Sequence, residues 1–105
     1  MNWETNFPES NTLDGQSPII IFKHSPRCSI SNMAKSRLER NWPSHVNIPI
    51  YLIDVLLQRN ISNFIAEKFN VTHQSPQILV INNGNCIYNE SHNGISVEAV
   101  LNAIH

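Results

Sequence analysis

Four consecutive apolar residues, Ile19-Ile20-Ile21-Phe22, stand between Pro18 and the Ser25-Pro26 pair. Three of them are β-branched, and the run is too short for a buried helix, so it reads as a strand. A strand that is apolar at every position has no face to offer water. Its sheet must carry helices on both sides. The next segment supplies one. Ile30, Met33, Ala34 and Leu38 recur at helical spacing and should face the sheet. That pattern stops at Asn41-Trp42-Pro43, because the residue before a proline is pushed out of the α region.

The remaining chain continues the alternation. Ile50-Tyr51-Leu52-Ile53 is a second strand, expected at a sheet edge because Pro49 cannot donate to a ladder. Ile61, Phe64, Ile65 and Phe69 mark the inward face of a second helix, with Asn60 as its N-cap and Asn70 as the left-handed residue that closes it. Gln77-Ile78-Leu79-Val80-Ile81 is a third strand. Asn83-Gly84 signals a tight hairpin, from which Cys86-Ile87-Tyr88 returns as a fourth. Ser96 caps a last helix that turns Val97, Val100, Leu101 and Ile104 inward. The order is β-α-β-α-β-β-α. The first crossover should be right-handed, strands one and two parallel, and strands three and four opposed to them. This is an α/β chain with a four-stranded mixed sheet and helices on both faces, the arrangement of the thioredoxin-like fold. Residues 1–17 read as an N-terminal arm, mostly loop, which Trp3 and Phe7 can anchor. Residues 18–105 read as a single thioredoxin-like domain.

Charge and composition exclude several function classes. Seven Lys+Arg against eight Asp+Glu give a net charge of −1, and no basic run is present, so no nucleic-acid partner is expected. No apolar run exceeds four residues, so no membrane span is expected. Met1-Asn2-Trp3-Glu4 has neither the charge nor the apolar stretch of a signal peptide. Two cysteines are too few for a disulfide scaffold or a four-ligand zinc site. The expected setting is a reducing cytoplasm. His24, His45, His73 and His105 lack ligand-like spacing, so no metal is expected.

The strongest chemical signal is the turn between the first strand and the first helix. Cys28 falls at or just before the first helical turn, where unpaired N–H groups and the positive end of the dipole favour a thiolate. Arg27 is adjacent, and Lys23 and His24 are close in sequence. Each favours the nucleophilic form of the sulfur. Cys28-Ser29-Ile30-Ser31 has the spacing of a two-cysteine redox motif with serine at the second position. Ser31 shares a helical face with Cys28 and can donate to a thiolate. It cannot displace a bound thiol, so an external thiol is required. Ser75-Pro76 precedes the third strand, at the end where the first strand finishes. A cis peptide bond there would set the Ser75 backbone beside the Cys28 sulfur and offer a short edge to an extended substrate. Cys86 starts the return strand, about 20 Å away along six residues of strand, whereas a disulfide needs Cα atoms within about 7 Å. It reads as structural. His92 returns to the active end, as a donor to the thiolate, a substrate contact or a solvated loop residue.

Phe22-Lys23-His24-Ser25-x-Arg27-Cys28-x-Ile30-Ser31 resembles the signature of the YtxJ family, the monothiol bacilliredoxins. Asn60-Ile61-Ser62-Asn63-x-Ile65-Ala66-Glu67-Lys68-Phe69, Ser75-Pro76-Gln77 and Ser91-His92 resemble it too, in order and spacing, over residues 18–105. The family more usually has proline after the cysteine, where this chain has Ser29, and an aromatic residue at Asn93. The arm looks short for the family's extra N-terminal helix. The resemblance implies a thioredoxin-like fold and removal of bacillithiol from protein mixed disulfides. Cys28 is then the attacking cysteine, Ser31 the non-resolving position and Pro76 the cis-proline. No tightly bound cofactor is implied. Bacillithiol or another low-molecular-weight thiol is the co-substrate, and S-thiolated client proteins are the partners. Two other readings of the same fold stand beside this one. One is a module that holds an iron–sulfur cluster between two subunits through one cysteine each. The other is an inactive interaction domain.

Overall fold

In the computed structural model, which describes residues 1–104, the Ile19 run extends through Lys23 to His24 as strand β2. All six of its side chains are buried. Around it are β1 (Trp3–Glu4), helix α1 (Ser10–Leu13), α2 (Ser29–Asn41), β3 (Ile50–Asp54), α3 (Arg59–Phe69), β4 (Gln77–Asn82), β5 (Asn85–Ser91), a 3-10 turn (His92–Gly94) and α4 (Val97–Ile104). The sheet order is β1-β3-β2-β4-β5. β1, β3 and β2 are mutually parallel, β4 is antiparallel to β2, and β5 is antiparallel to β4. β5 therefore runs with β2, so of the two strands expected to oppose it only β4 does.

Side-chain alternation along β2 divides the core into two layers. Ile20 and Phe22 pack with Ala34 and Leu38 of α2 and with Val97 and Val100 of α4. Ile19 and Ile21 pack on the other face with Leu13 of α1 and with Ile65 and Phe69 of α3. Helices thus cover both faces, as a fully apolar strand demands. The turn signals hold as well. Asn70 and Asn83 have positive φ, and Gly84 at φ 76° completes the hairpin. The Ser96 hydroxyl accepts the Ala99 N–H at 3.2 Å.

Several expectations are corrected. The sheet has five strands, because Trp3–Glu4 pairs with Ile50 and Tyr51. β3 is therefore not at the edge. Pro49 lies one residue before it, where its carbonyl accepts the Ile20 N–H at 2.9 Å and its missing donor costs the ladder nothing. The arm contributes β1 and the one-turn α1 and is otherwise without regular structure. Trp3 lies against Phe22 at 5.5 Å and donates to Glu39 at 2.8 Å, Phe7 meets Phe64 edge-on, and Leu13 is buried in a one-turn helix. α3 starts at Arg59 with Gln58 rather than Asn60 as N-cap, and Phe64 is 44% exposed rather than buried. On α2 the buried residues are Ser31, Ala34 and Leu38, while Ile30 and Met33 face solvent.

Lys23 is the exception inside β2. It follows Ile21 onto the α3 face, where it is fully buried. Its ammonium donates to the Ser62 carbonyl at 3.0 Å and lies 3.2 Å from His73 Nδ1. Burial lowers its pKa to about 8. The folded state therefore binds this proton less well than the unfolded chain does, and stability rises as pH climbs from about 8 towards the ordinary lysine value. Lys23→Met should be more stable than the parent at pH 7, by at most about 3 kcal/mol. The advantage should shrink by pH 10.5. Urea denaturation at the two pH values measures it, and an unchanged difference would contradict the assignment.

Candidate active site at the end of strand β2

The chain leaves β2 at His24 and turns through Ser25-Pro26-Arg27 into α2. Cys28 is the N-cap residue of that helix. Its backbone is extended, its N–H donates to the Ser25 carbonyl at 3.0 Å, and its carbonyl accepts the Asn32 N–H at 3.0 Å. The Asn32 side chain closes the same turn by donating to the Pro26 carbonyl at 3.0 Å. Cys28 is half-buried at the helix N-terminus, and its side chain makes no capping hydrogen bond among the described residues. Arg27 is exposed and makes no ion pair among the described residues.

Two other elements end at the same place. Pairing of Lys23 with Gln77, and of Gln77 with Ser91, brings the start of β4 and the end of β5 to the carboxyl end of β2. The Ser75–Pro76 peptide bond, immediately before β4, is cis. The Pro76 carbonyl accepts the N–H of His92, whose side chain is exposed. Arg37 of α2 donates to the carbonyls of His92 and Ile95, which ties the cysteine-bearing helix to this loop. The Ser75 hydroxyl is buried with no partner among the described residues. Cys28, Arg27, Ser75, Pro76 and His92 therefore share one end of the sheet. Cys86 pairs with Ile81, which pairs with Ile19, and so lies at the opposite end.

Ser31 is placed differently from its expected role. It is fully buried, with its Oγ 2.6 Å from His24 Nδ1 and accepting the Ser25 N–H at 3.0 Å. It is committed to the strand rather than to the sulfur. Nor do the neighbouring basic residues act on Cys28 as the sequence suggests. Lys23 points into the α3 layer. His24 is held below the ordinary imidazole pKa by burial and by Lys35, with Asp54 and Glu39 opposing, so it is neutral at pH 7. Among the described residues no group of three His, Cys, Asp or Glu side chains is gathered as a metal site. His105 lies outside the described residues.

Residues 2–100 match the family described as monothiol bacilliredoxin BrxC. The chain belongs to that family. A solved structure whose description proposes an oxidoreductase with a thioredoxin fold is 28% identical, with a TM-score of 0.79 over 90% of this chain and 84% of the other. Thioredoxin from Malassezia sympodialis superposes with a TM-score of 0.69 at 16% identity, over 97% of this chain and 85% of its own. Thioredoxin from Trypanosoma brucei brucei gives 0.69 at 8% identity, over 90% and 77%. The last two speak for the fold alone. The bacilliredoxin is a thiol-disulfide oxidoreductase.

Sequence reasoning missed the part His24 plays here, taking it only as a nearby base. The signal was its parity. Two positions beyond Phe22, it faces the α2 layer, where the buried third residue of α2 must find a polar partner.

The two cysteines of the bacilliredoxin should separate chemically. Burial pushes the Cys86 thiol up, and its S–H donates to the Tyr88 carbonyl at 3.3 Å. Iodoacetamide should label Cys28 in the native protein and reach Cys86 only on unfolding, as read by peptide mass spectrometry. Equal native labelling would defeat the assignment.

Proposed function

We propose that this bacilliredoxin removes bacillithiol, or a similar low-molecular-weight thiol, from mixed disulfides on client proteins in a reducing cytoplasm. The Cys28 thiolate attacks the small thiol's sulfur, the S–S bond of the mixed disulfide breaks, and the client leaves as its thiolate. Cys28 now carries the small thiol in a mixed disulfide. A second small-thiol anion attacks that adduct, regenerates Cys28 and leaves as the symmetrical disulfide. The observation that carries this reading is the pairing of an N-cap cysteine with a serine where an internal resolving thiol would stand. Cys86 cannot substitute for it from the far end of the sheet. The unpartnered Ser75 hydroxyl, with Pro76 and His92, supports a substrate wall beside Cys28. Arg27 supplies an exposed cation at the rim.

Incubation with a panel of small-thiol disulfides, read by intact mass, tests the reading. One adduct should form, on Cys28, and it should persist until free thiol is added. No adduct with any member would overturn the proposal. Cys86→Ser should leave adduct formation unchanged.

Ser31→Cys should convert the site to a dithiol one. Positions 28 and 31 are the N-cap and third residues of α2, so the new thiol lies within the same turn. The Cys28 adduct should then decay without added thiol, leaving a 28–31 disulfide. An adduct as durable as the parent's would count against a shared helical turn.

A further inference from the structure

The charges of this chain are unevenly placed. Residues 27–41, the end of the cysteine turn and helix α2, hold Arg27, Lys35, Arg37 and Arg40 but only one acidic residue, Glu39, a net charge of +3. The rest of the chain carries −4. Glu39 neutralises Lys35 at 2.9 Å. Arg27, Arg37 and Arg40 make no ion pair among the described residues. Arg37 donates to the carbonyls of His92 and Ile95, so no carboxylate opposes its charge. Arg37 and Arg40 line, with Asn32, Met33 and Ser36, a groove of about 420 Å³ on the outer face of α2. The near end of that groove is the cysteine turn itself. The Asn32 N–H donates to the Cys28 carbonyl and the Asn32 side chain to the Pro26 carbonyl, both at 3.0 Å. Ile30, Met33, Arg37 and Arg40 follow one another at helical spacing, so they form one stripe that is apolar near Cys28 and cationic further along. Ile30 is 40% and Met33 59% exposed. At a rise of about 1.5 Å per residue, Arg40 lies roughly 18 Å along the helix from Cys28.

We propose that this stripe is a docking surface for the client protein, and that it takes an extended acidic segment flanking the client's disulfide-bonded cysteine. The inference rests on the proposed function. A client whose sulfur is exchanged at Cys28 must lay its neighbouring residues over the surface beside the turn, and on the α2 side that surface is this groove. An extended chain covers about 18 Å in five or six residues, at roughly 3.3 Å each. One client carboxylate then meets Arg40 and a nearer one Arg37 or Arg27, while Met33 and Ile30 take the aliphatic stems between them. A small thiol held at Cys28 is too short to reach Arg40. Basic segments are repelled along the same path, so the helix that carries the nucleophile also sorts clients by the sign of their charge.

The test uses Cys86→Ser protein and three synthetic peptides, each with one cysteine disulfide-linked to thionitrobenzoate and flanked on both sides by Glu, by Gln or by Lys. The Cys28 thiolate attacks the peptide sulfur, the S–S bond breaks, and coloured thionitrobenzoate leaves. At low ionic strength the Glu peptide should react about fivefold faster than the Gln peptide, and the Lys peptide slowest. Molar salt should level the three rates. Arg40→Glu should bring the Glu-to-Lys ratio towards one, and Arg27→Glu with Arg40→Glu should invert it. Both arginines are exposed, so these substitutions leave the fold intact. Each ratio is taken within one variant, so any change in the reactivity of Cys28 cancels. Equal rates for the three peptides, or a ratio unmoved by Arg40→Glu, overturn the proposal. Thionitrobenzoate disulfides of mercaptopropionate and cysteamine supply the small anion and cation. If they show the same preference and the same loss in Arg40→Glu protein, the surface serves a small anionic thiol and the proposal falls. A dimer in solution that Arg40→Glu dissociates would give the face to a second copy and overturn it too. The readout needs no small-thiol adduct. A charge preference among the peptides without any such adduct leaves the docking surface standing and removes the proposed function, and an adduct without a preference does the reverse.

Discussion

The Ser31 hydroxyl joins the end of β2 to the first turn of α2, and the placement of Cys28 depends on that junction. It takes the Ser25 N–H, the donor left over where the strand stops, and meets His24, the last side chain of the strand. Burying any of these groups without its partner would cost about 1–3 kcal/mol. The turn between them, Pro26-Arg27-Cys28, is therefore held at both ends, with Asn32 clasping it from the third side. A cysteine on a free loop would sample many orientations. This one is fixed at a helix start by hydrogen bonds that do not use its sulfur.

How much of this was legible follows from the physics of each segment. The apolar run of β2, the left-handed Asn70 and the Asn83-Gly84 turn state their structure locally, and all form as read. The sheet edge did not, because β1 is only Trp3 and Glu4 and is held by long-range contacts to Ile50, Phe22 and Glu39. Two residues have no period. Ile30 and Met33 were misplaced for another reason. The face of α2 that meets the sheet includes Ser31, a polar residue, so a reading by hydrophobicity rotates the helix toward its neighbours. The site itself shows the same division. Cys28, Ser75-Pro76 and His92 were placed by topology alone. The His24–Ser31 contact needed the parity of β2 and the phase of α2 together.

Lys23 and His24 show how a two-faced strand handles basic residues. They are neighbours in sequence, but alternation sends one into the α3 layer and the other into the α2 layer. Neither is available as a simple surface cation. Lys23 is solvated by a helix carbonyl and His73, which braces the segment leading to Ser75. The strand thus carries polar contacts to both walls of the site, one toward the loop before β4 and one toward the cysteine helix.

A one-cysteine exchange site requires that no second thiol reach the adduct before a small thiol does. Sequence alone satisfies half of this by placing serine at position 31. Geometry satisfies the other half. β4 carries the chain away from the site, the hairpin reverses it, and Cys86 is left opposite Ile81 at the far end, its thiol raised by burial. The serine is also more than a missing sulfur. Since its hydroxyl is already held by His24 and Ser25, replacing it removes a brace of the turn as well as a polar group beside Cys28. If Cys28 carries a small-thiol adduct as proposed, its persistence and the rigidity of the turn that bears it have the same residue as their cause.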